Sequence, residues 1–503
     1  MSKKGKRRNK SSVRSGRTPA AAGRAQAGGA EKAAGSTRGS GPTQAGGSAP
    51  ARGPARAGRG GGASPTRPFS LLIKPAGADC NIRCDYCFYY DRGSLYPGAT
   101  RHRMSDETLE RLVASYMETE QPTHSFGWQG GEPTLMGVDF FRRAVELQQA
   151  YGASGARVAN GLQTNAMLIT DELAQLFRDY HFLLGVSLDG PEEIHNTYRK
   201  TVAGGGTYAR VREGIDTLLK HQVDVNILVL VSQANVHRGA EVYEFLRDEG
   251  FRYHQYIPCV EFGPDGRKAP FAITGEEWGR FLNQVYDAWY PRDTRRVSIR
   301  HFDSVLEYLV KGTYNVCSMG GRCNGYFVVE HTGDVYPCDF AVSEETLLGN
   351  IHETAWGSLQ RSPAYRRFAA RKAQWSATCA ECPYLHLCSG DCTKHRRLPG
   401  MTAAFGQPEA TETGAGTTGR DSGVPGGPGP QAGISWLCQG WYDFYEHTVP
   451  GFAALAEEVR VSQQFPPVHR PAPDELCHCG SEKLYRNCHG TAPWPVGSSP
   501  AGA

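Results

Sequence analysis

Nothing aromatic occurs in the first 68 residues of this 503-residue chain; Phe69 is the first such side chain. Carboxylates are nearly as scarce there. Residues 1–67 carry 15 Lys and Arg against one acid, Glu31, a net of +14 in a chain whose formal total is +4, which leaves −10 for the remainder. Such a segment cannot bury enough apolar surface to offset the entropy of ordering it, so 1–68 is expected to be a disordered basic tail. A basic run of this kind can touch nucleic acid. The acidic remainder excludes a broad basic binding face, and a solubilising extension is the favoured reading. No apolar run reaches 18 residues, which excludes a membrane-spanning helix. The start, MSKKGKRRNK, lacks the apolar stretch of a secretory signal. A cytoplasmic protein with no membrane partner is expected.

What the chain has in quantity is cysteine, 15 in all, together with 61 Gly and 31 Pro. In a reducing compartment thiols do not form a disulfide framework, and these are clustered, which points to metal or iron–sulfur ligands. The length suggests roughly three domains. From 69 to 257 short apolar runs at 69–75, 124–129, 157–164, 182–188, 224–231 and 253–257 alternate with stretches of helical period at 105–120, 138–151, 170–180, 207–221 and 237–250. Ser105 and Thr170 are placed to cap two of those helices. Strand–helix repetition implies parallel strands with right-handed crossovers, in a barrel or an open sheet, with the site on loops at the C-terminal strand ends.

Residues 300–452 break this rhythm, carry eight cysteines and show little regular periodicity; a domain this poor in core pattern is expected to need cross-linking, which metal–thiolate bonds can provide. The expected layout is 69–300 and 301–452 as two folded domains, a flexible insertion at 400–433, a linker at 453–474, a small module at 475–490 and a disordered end at 491–503.

Three thiols fall within eight residues, Cys80-Asn-Ile-Arg-Cys84-Asp-Tyr-Cys87, with no fourth nearby. Three thiolates can hold three irons of a four-iron cluster and leave the fourth open to a ligand; a zinc knuckle is the alternative. The string CNIRCDYCFY resembles the radical S-adenosylmethionine (SAM) signature, in which the open iron is chelated by the amino and carboxylate groups of SAM. Gln129-Gly130-Gly131-Glu132-Pro133 resembles that family's GGEP motif, whose backbone meets the SAM amino group; glycine there is expected to let backbone approach the ligand. The resemblance further implies SAM contacts at Ser187 in VSLDG, at Arg199 in HNTYRK, at Tyr86 through its backbone, and at Val260 by position.

The later thiols are Cys317, Cys323 and Cys338, then Cys379, Cys382, Cys388 and Cys392, then Cys438. Eight thiolates suit two fully ligated clusters; two zinc ribbons are the alternative. The spacing resembles the SPASM extension of radical SAM enzymes that modify peptides. That resemblance implies one auxiliary cluster on Cys317, Cys323, Cys338 and Cys392, and a second on Cys379, Cys382, Cys388 and Cys438. The stretch CNGYFVVEHTGDVYPCDF is similar to the anaerobic sulfatase-maturating enzymes, where the Asp after the third auxiliary cysteine, here Asp339, is the catalytic base.

Fold and function follow as implications. The fold would be α/β, a partial (β/α)6 radical SAM barrel followed by a cysteine-rich SPASM domain. Three [4Fe–4S] clusters and SAM would oxidise a Cys or Ser side chain in a sulfatase polypeptide to Cα-formylglycine, with flavodoxin or ferredoxin as electron donor. A SPASM enzyme forming a thioether or another peptide crosslink is the alternative, and a ribosome- or nucleic-acid-associated binding protein is a second. At the C-terminus Cys477-His-Cys479-Gly and Asn-Cys488-His489 resemble the SEC-C zinc motif, with three thiols and one imidazole as tetrahedral ligands. Cys259 is left over and reads as a buried free thiol.

Overall fold

The computed structural model describes residues 67–290, 292–396 and 433–463. The expected basic tail up to 66, nearly all of the 400–433 insertion and the whole of 464–503 lie outside the described residues. So do Cys477, Cys479, Cys488 and His489.

Six parallel strands carry the first half: β1 (Ser70–Lys74), β3 (His124–Trp128), β4 (Val158–Thr164), β5 (Leu183–Ser187), β7 (Asp224–Val231) and β8 (Tyr253–Pro258). They lie side by side in that order. The crossovers are α1 (Asp106–Met117), α2 (Gly137–Tyr151), α3 (Asp171–Asp179), α5 (Tyr208–Lys220) and α6 (Gly239–Asp248), with a short α4 (Glu192–Tyr198) before α5. The side-chain oxygens of Ser105 and Thr170 accept the backbone N–H groups of Thr108 and Leu173, as N-caps do. Leu, Val and Ile on β7 are buried on both faces because helices cover the parallel sheet. Trp128, fully buried between Phe126, Phe140 and Phe141, anchors the core under β3. Two short strands, β2 (Ile82–Cys84) and β6 (Arg199–Thr201), form a separate antiparallel pair in which Cys84 faces Arg199.

The sheet is a partial barrel that stays open, because β1 and β8 each take a different outer neighbour. Beyond β8 lies β9 (Ser298–Ile299), and beyond β1 lie β10 (Tyr326–Glu330), β11 (Asp334–Tyr336) and β12 (Gly349–Asn350). β10 runs parallel to β1 over five residue pairs, Ser70–Tyr326 to Lys74–Glu330.

Residues 300–452 have more core than their weak periodicity suggests. Phe327, Val329, Val335, Ile351, Trp356, Leu387, Trp441, Phe444 and Phe452 join the same buried cluster as Ile73 and Trp128. The elements responsible are α7 (Gly275–Trp289), α8 (Arg300–Lys311), four short helices α9 (Trp356–Arg361), α10 (Pro363–Arg371), α11 (Ala377–Glu381) and α12 (Leu385–Cys388), and the long α13 (Cys438–Gln463). Helices α7 and α13 touch backbone to backbone: a Cβ on Gly440 would stand 2.0 Å from the Gly275 carbonyl oxygen. Helix α13 also continues past Pro450, so the expected linker cannot begin at 453. Its helical run is held by packing on α7, where a Cβ at Gly451 would collide with the Tyr286 hydroxyl. No helix among the described residues is long and apolar enough to cross a membrane.

Candidate active site

The loop after β1 that carries the first three thiols is met by the loops at the C-terminal ends of β3, β4 and β5. Burial pushes the Cys80 thiol up to about 12 and the Cys84 thiol up to about 11. Cys80 feels the charges of Cys84 and Cys87, and Cys84 that of Cys87, so the three form one group. Asn165, at the end of β4, donates to Asn81 Oδ1 at 2.8 Å and lies 3.7 Å from Cys80 Sγ.

The Gly130–Gly131 turn also makes close contacts within the protein. Gly131 N–H donates to the Gly77 carbonyl and Glu132 N–H to the Asp79 carbonyl, both at 2.8 Å. A Cβ on Gly131 would fall 1.9 Å from Asp79 O, and Gly130 has φ +143°. Glycine here lets two loops of the protein meet, which fastens the turn to the approach to Cys80. The Glu132 side chain is fully buried and accepts from Thr134 N (3.0 Å), Thr134 Oγ1 (2.6 Å), Thr164 Oγ1 (2.8 Å) and Asn165 N (2.8 Å). Burial raises its pKa, and those four donors oppose the shift. Its carboxylate therefore ties the β3 loop to the end of β4.

Arg199 is likewise committed within the protein. Nε and Nη2 donate to the two oxygens of Asp189 at 2.8 and 3.1 Å, and its positive charge lowers the Cys84 pKa against the effect of burial. The Tyr86 hydroxyl donates to Asp189 Oδ2, and the Arg199 guanidinium lies 5.4 Å from the Tyr86 ring centre. Burial alone would raise the Asp189 carboxyl; the Arg199 charge and hydrogen bonds outweigh it and hold it below the usual range. Ser187 is buried at the end of β5, and Cys259 and Val260 are buried after β8. Burial pushes the Cys259 thiol up to about 12.

The eight later thiols separate into two groups by proximity. Cys392 feels the charges of Cys317 and Cys323, Cys338 that of Cys392, and Cys317 that of Cys323. Cys388 feels Cys379 and Cys438, Cys438 feels Cys379 and Cys382, and Cys382 feels Cys379. All twelve described cysteines are free. Neighbouring thiols in groups of four suit clusters in which each thiolate meets its own iron.

Asp339 lies between these regions. It is 9% exposed, accepts from the Tyr326 hydroxyl at 3.3 Å and has Cys338 Sγ 3.6 Å away. Facing it is Lys74, the last residue of β1, 1% exposed, whose Nζ donates to Gln129 Oε1 at 3.2 Å and lies 4.3 Å from the Tyr89 ring centre. Burial lowers the Lys74 pKa, while Asp339 and Glu330 draw it back up. The Tyr89 hydroxyl donates to Glu330.

Residues 75–246 match the radical SAM superfamily, and residues 317–383 match the SPASM iron–sulfur cluster-binding domain. A serine-type anaerobic sulfatase-maturating enzyme of Bacteroides thetaiotaomicron is 33% identical over 417 residues, covering 80% of this chain and 94% of that one. The chain belongs to the anaerobic sulfatase-maturating enzymes. A cysteine-type member from Clostridium perfringens is 32% identical, covering 78% of this chain and 100% of its own. A solved structure, native anSMEcpe with bound AdoMet and the Cp18Cys peptide, superposes with a TM-score of 0.68 at 32% identity, covering 78% of this chain and 100% of that one. As a member of this family the protein is an enzyme with iron–sulfur clusters and SAM as cofactors.

Sequence reasoning missed Asp189, Lys74, Glu330 and Asn165. Asp189, in VSLDG, and Lys74, in the run 69–75, are charged residues at the ends of apolar strands. That position, a charge where a strand meets the site, was the available signal.

Proposed function

We propose that this enzyme oxidises the side chain of a Cys or Ser residue in a sulfatase polypeptide to Cα-formylglycine. The observation that carries the reading is the sorting of eleven thiols into groups of three, four and four, with Asp339 beside a member of the second. Cys80, Cys84 and Cys87 hold the first cluster. Cys317, Cys323, Cys338 and Cys392 hold the second, and Cys379, Cys382, Cys388 and Cys438 the third. When bound, the first cluster and SAM supply the one-electron chemistry that removes a hydrogen from the target Cβ.

The protein's own residues do the rest. Two N–H groups of the Gly130–Glu132 turn are already committed, so the turn meets an ammonium through its carbonyls. Glu132 and Arg199 serve SAM by holding that turn and the Cys84–Tyr86 segment, with Tyr86, Ser187 and Val260 along the same rim. Oxidising CH2–SH or CH2–OH removes two electrons and two hydrogens; the serine product is the aldehyde itself, and the cysteine product is a thioaldehyde that water hydrolyses to the aldehyde with loss of H2S. One hydrogen leaves as a proton, and Asp339, oriented by Tyr326 and screened from water, accepts it. Its neighbour Cys338 places an electron sink beside the proton acceptor.

The family's serine-type and cysteine-type members match this chain equally, so both residue types are targets to test. A cytoplasmic setting with flavodoxin or ferredoxin as donor supplies the low-potential electrons. Cys477, Cys479, Cys488 and His489 form a separate zinc motif that recruits a partner.

The test is mass spectrometry of Cys- and Ser-containing sulfatase-motif peptides after anaerobic incubation with SAM and reductant. An aldehyde at the target residue supports the reading. SAM consumption that leaves both peptides unchanged, or forms a thioether, overturns it.

A further inference from the structure

At the opposite end of the strands from the cysteines, four arginines converge on one surface cavity of about 450 Å3, lined by Arg247, Asp248, Arg252, Arg292, Asp293 and Arg296. Arg252 immediately precedes β8, and Arg296 precedes β9. The Ser298 N–H donates to the Arg252 carbonyl at 2.8 Å, which fastens the two segments together. The floor is fixed by Asp293, 6% exposed, which accepts from the Tyr243 hydroxyl at 2.8 Å and lies 3.6 Å from Arg247 Nη1. Arg247 also bonds Asp248 at 2.9 Å, so both carboxylates are engaged by the same guanidinium.

The other three guanidiniums differ. Among the described residues Arg252, Arg292 and Arg296 form no ion pair, and Arg292 makes one long contact, 3.5 Å, to the Ala288 carbonyl. All three are exposed. Four guanidiniums against two carboxylates leave an excess of two positive charges around one concavity. Like charges gathered on a fixed floor repel one another, and an anion between them relieves that repulsion. The planar fork of arginine matches tetrahedral oxyanions through paired N–H groups.

We propose that this cavity binds a tetrahedral oxyanion dianion of the phosphate or sulfate class, at a site remote from the iron–sulfur chemistry. Arg252, Arg292 and Arg296 are the ligands, and Arg247 is held in place by Asp248 and Asp293.

The test is calorimetric titration of the full-length, anaerobically reconstituted enzyme in a chloride buffer with inorganic phosphate, sodium sulfate and a phosphate monoester in separate arms. Saturable binding at one site per chain, weakening as salt rises, is expected from at least one of them. The arm that binds tightest tells sulfate from phosphate and free ion from ester. Arg252→Ala/Arg296→Ala should weaken binding on the order of tenfold or more. Arg295→Ala should leave it unchanged, because Arg295 pairs with Glu458 at 3.4 Å and does not line the cavity. If the double alanine variant misfolds, Arg252→Lys/Arg296→Lys keeps the charge, loses the fork and should bind more weakly than the parent. No saturable binding of any of the three anions, or equal affinity in the parent and the folded double variant, overturns the proposal.

Discussion

The first three thiols come from eight consecutive residues, and the other eight are drawn from 122, from Cys317 to Cys438. The first group is therefore assembled by local chain geometry: a loop, the short β2 and a turn. The later groups exist only after folding, since Cys392 must meet Cys317 and Cys388 must meet Cys438 across the sequence. A ligand set made locally can be removed with little cost to the rest of the fold. One assembled from distant segments also cross-links them, so binding and folding are coupled.

The largest expected effects test that contrast. Cys80→Ala/Cys84→Ala/Cys87→Ala should remove about four of some twelve irons and abolish SAM cleavage, with a melting temperature near the parent's. Cys392→Ala should lower both iron content and melting temperature. Equal losses of stability in the two variants, read by iron assay and calorimetry, would break the comparison.

Next comes Asp339→Asn, which keeps size but cannot accept a proton at neutral pH. Peptide oxidation should fall on the order of a hundred- to ten-thousand-fold while SAM cleavage persists. Formylglycine formed at the parent's rate would remove Asp339 as the base.

Gly131→Ala probes the local region by sterics alone. Its Cβ would stand 1.9 Å from Asp79 O, so the turn must move. A stability loss of about 1–3 kcal/mol and weaker SAM binding are expected, with iron content retained.

Burial holds three imidazoles, His195, His254 and His301, down to about 4. An unfolded histidine titrates near 6.5, so between those values the unfolded state binds more protons. Their stabilising effect is present above about 6.5 and is lost as pH falls toward 4, about 2 kcal/mol for each at roughly pH 5. His254→Phe, at the start of β8 and away from the thiols, should flatten the fall in melting temperature between roughly pH 7 and 5. An unchanged slope would show that His254 titrates normally.

The smallest effect should come from deleting 1–66 and 470–503. Neither segment carries a ligand of the three proposed clusters, and both SAM cleavage and peptide oxidation should survive in a direct assay.

Much of the first half was legible because its signals are local. Strand β7 announces itself as DVNILVLV, α1 begins at a serine cap, and CNIRCDYCFY lies in one unbroken string. The second half was recognisable as a SPASM domain from its cysteine spacing, while its weak periodicity hid a continuous core. YFVVE is too short to reveal that it pairs with β1, and Pro450–Gly451 resembles a helix stop. Neither the partner strand nor the packing of Gly451 on Tyr286 is written nearby in the chain.

The sequence by itself determined the family, the six-strand succession and the thiol spacing, since each depends on residues a few positions apart. Only the tertiary structure decided what the charged groups do. Glu132 and Arg199 look like ligand-binding residues in isolation, yet one is surrounded by four donors and the other is paired with Asp189. Burying a charge requires partners, and those partners come from β4, from β5 and from the cysteine loop, which meet only when the sheet is formed.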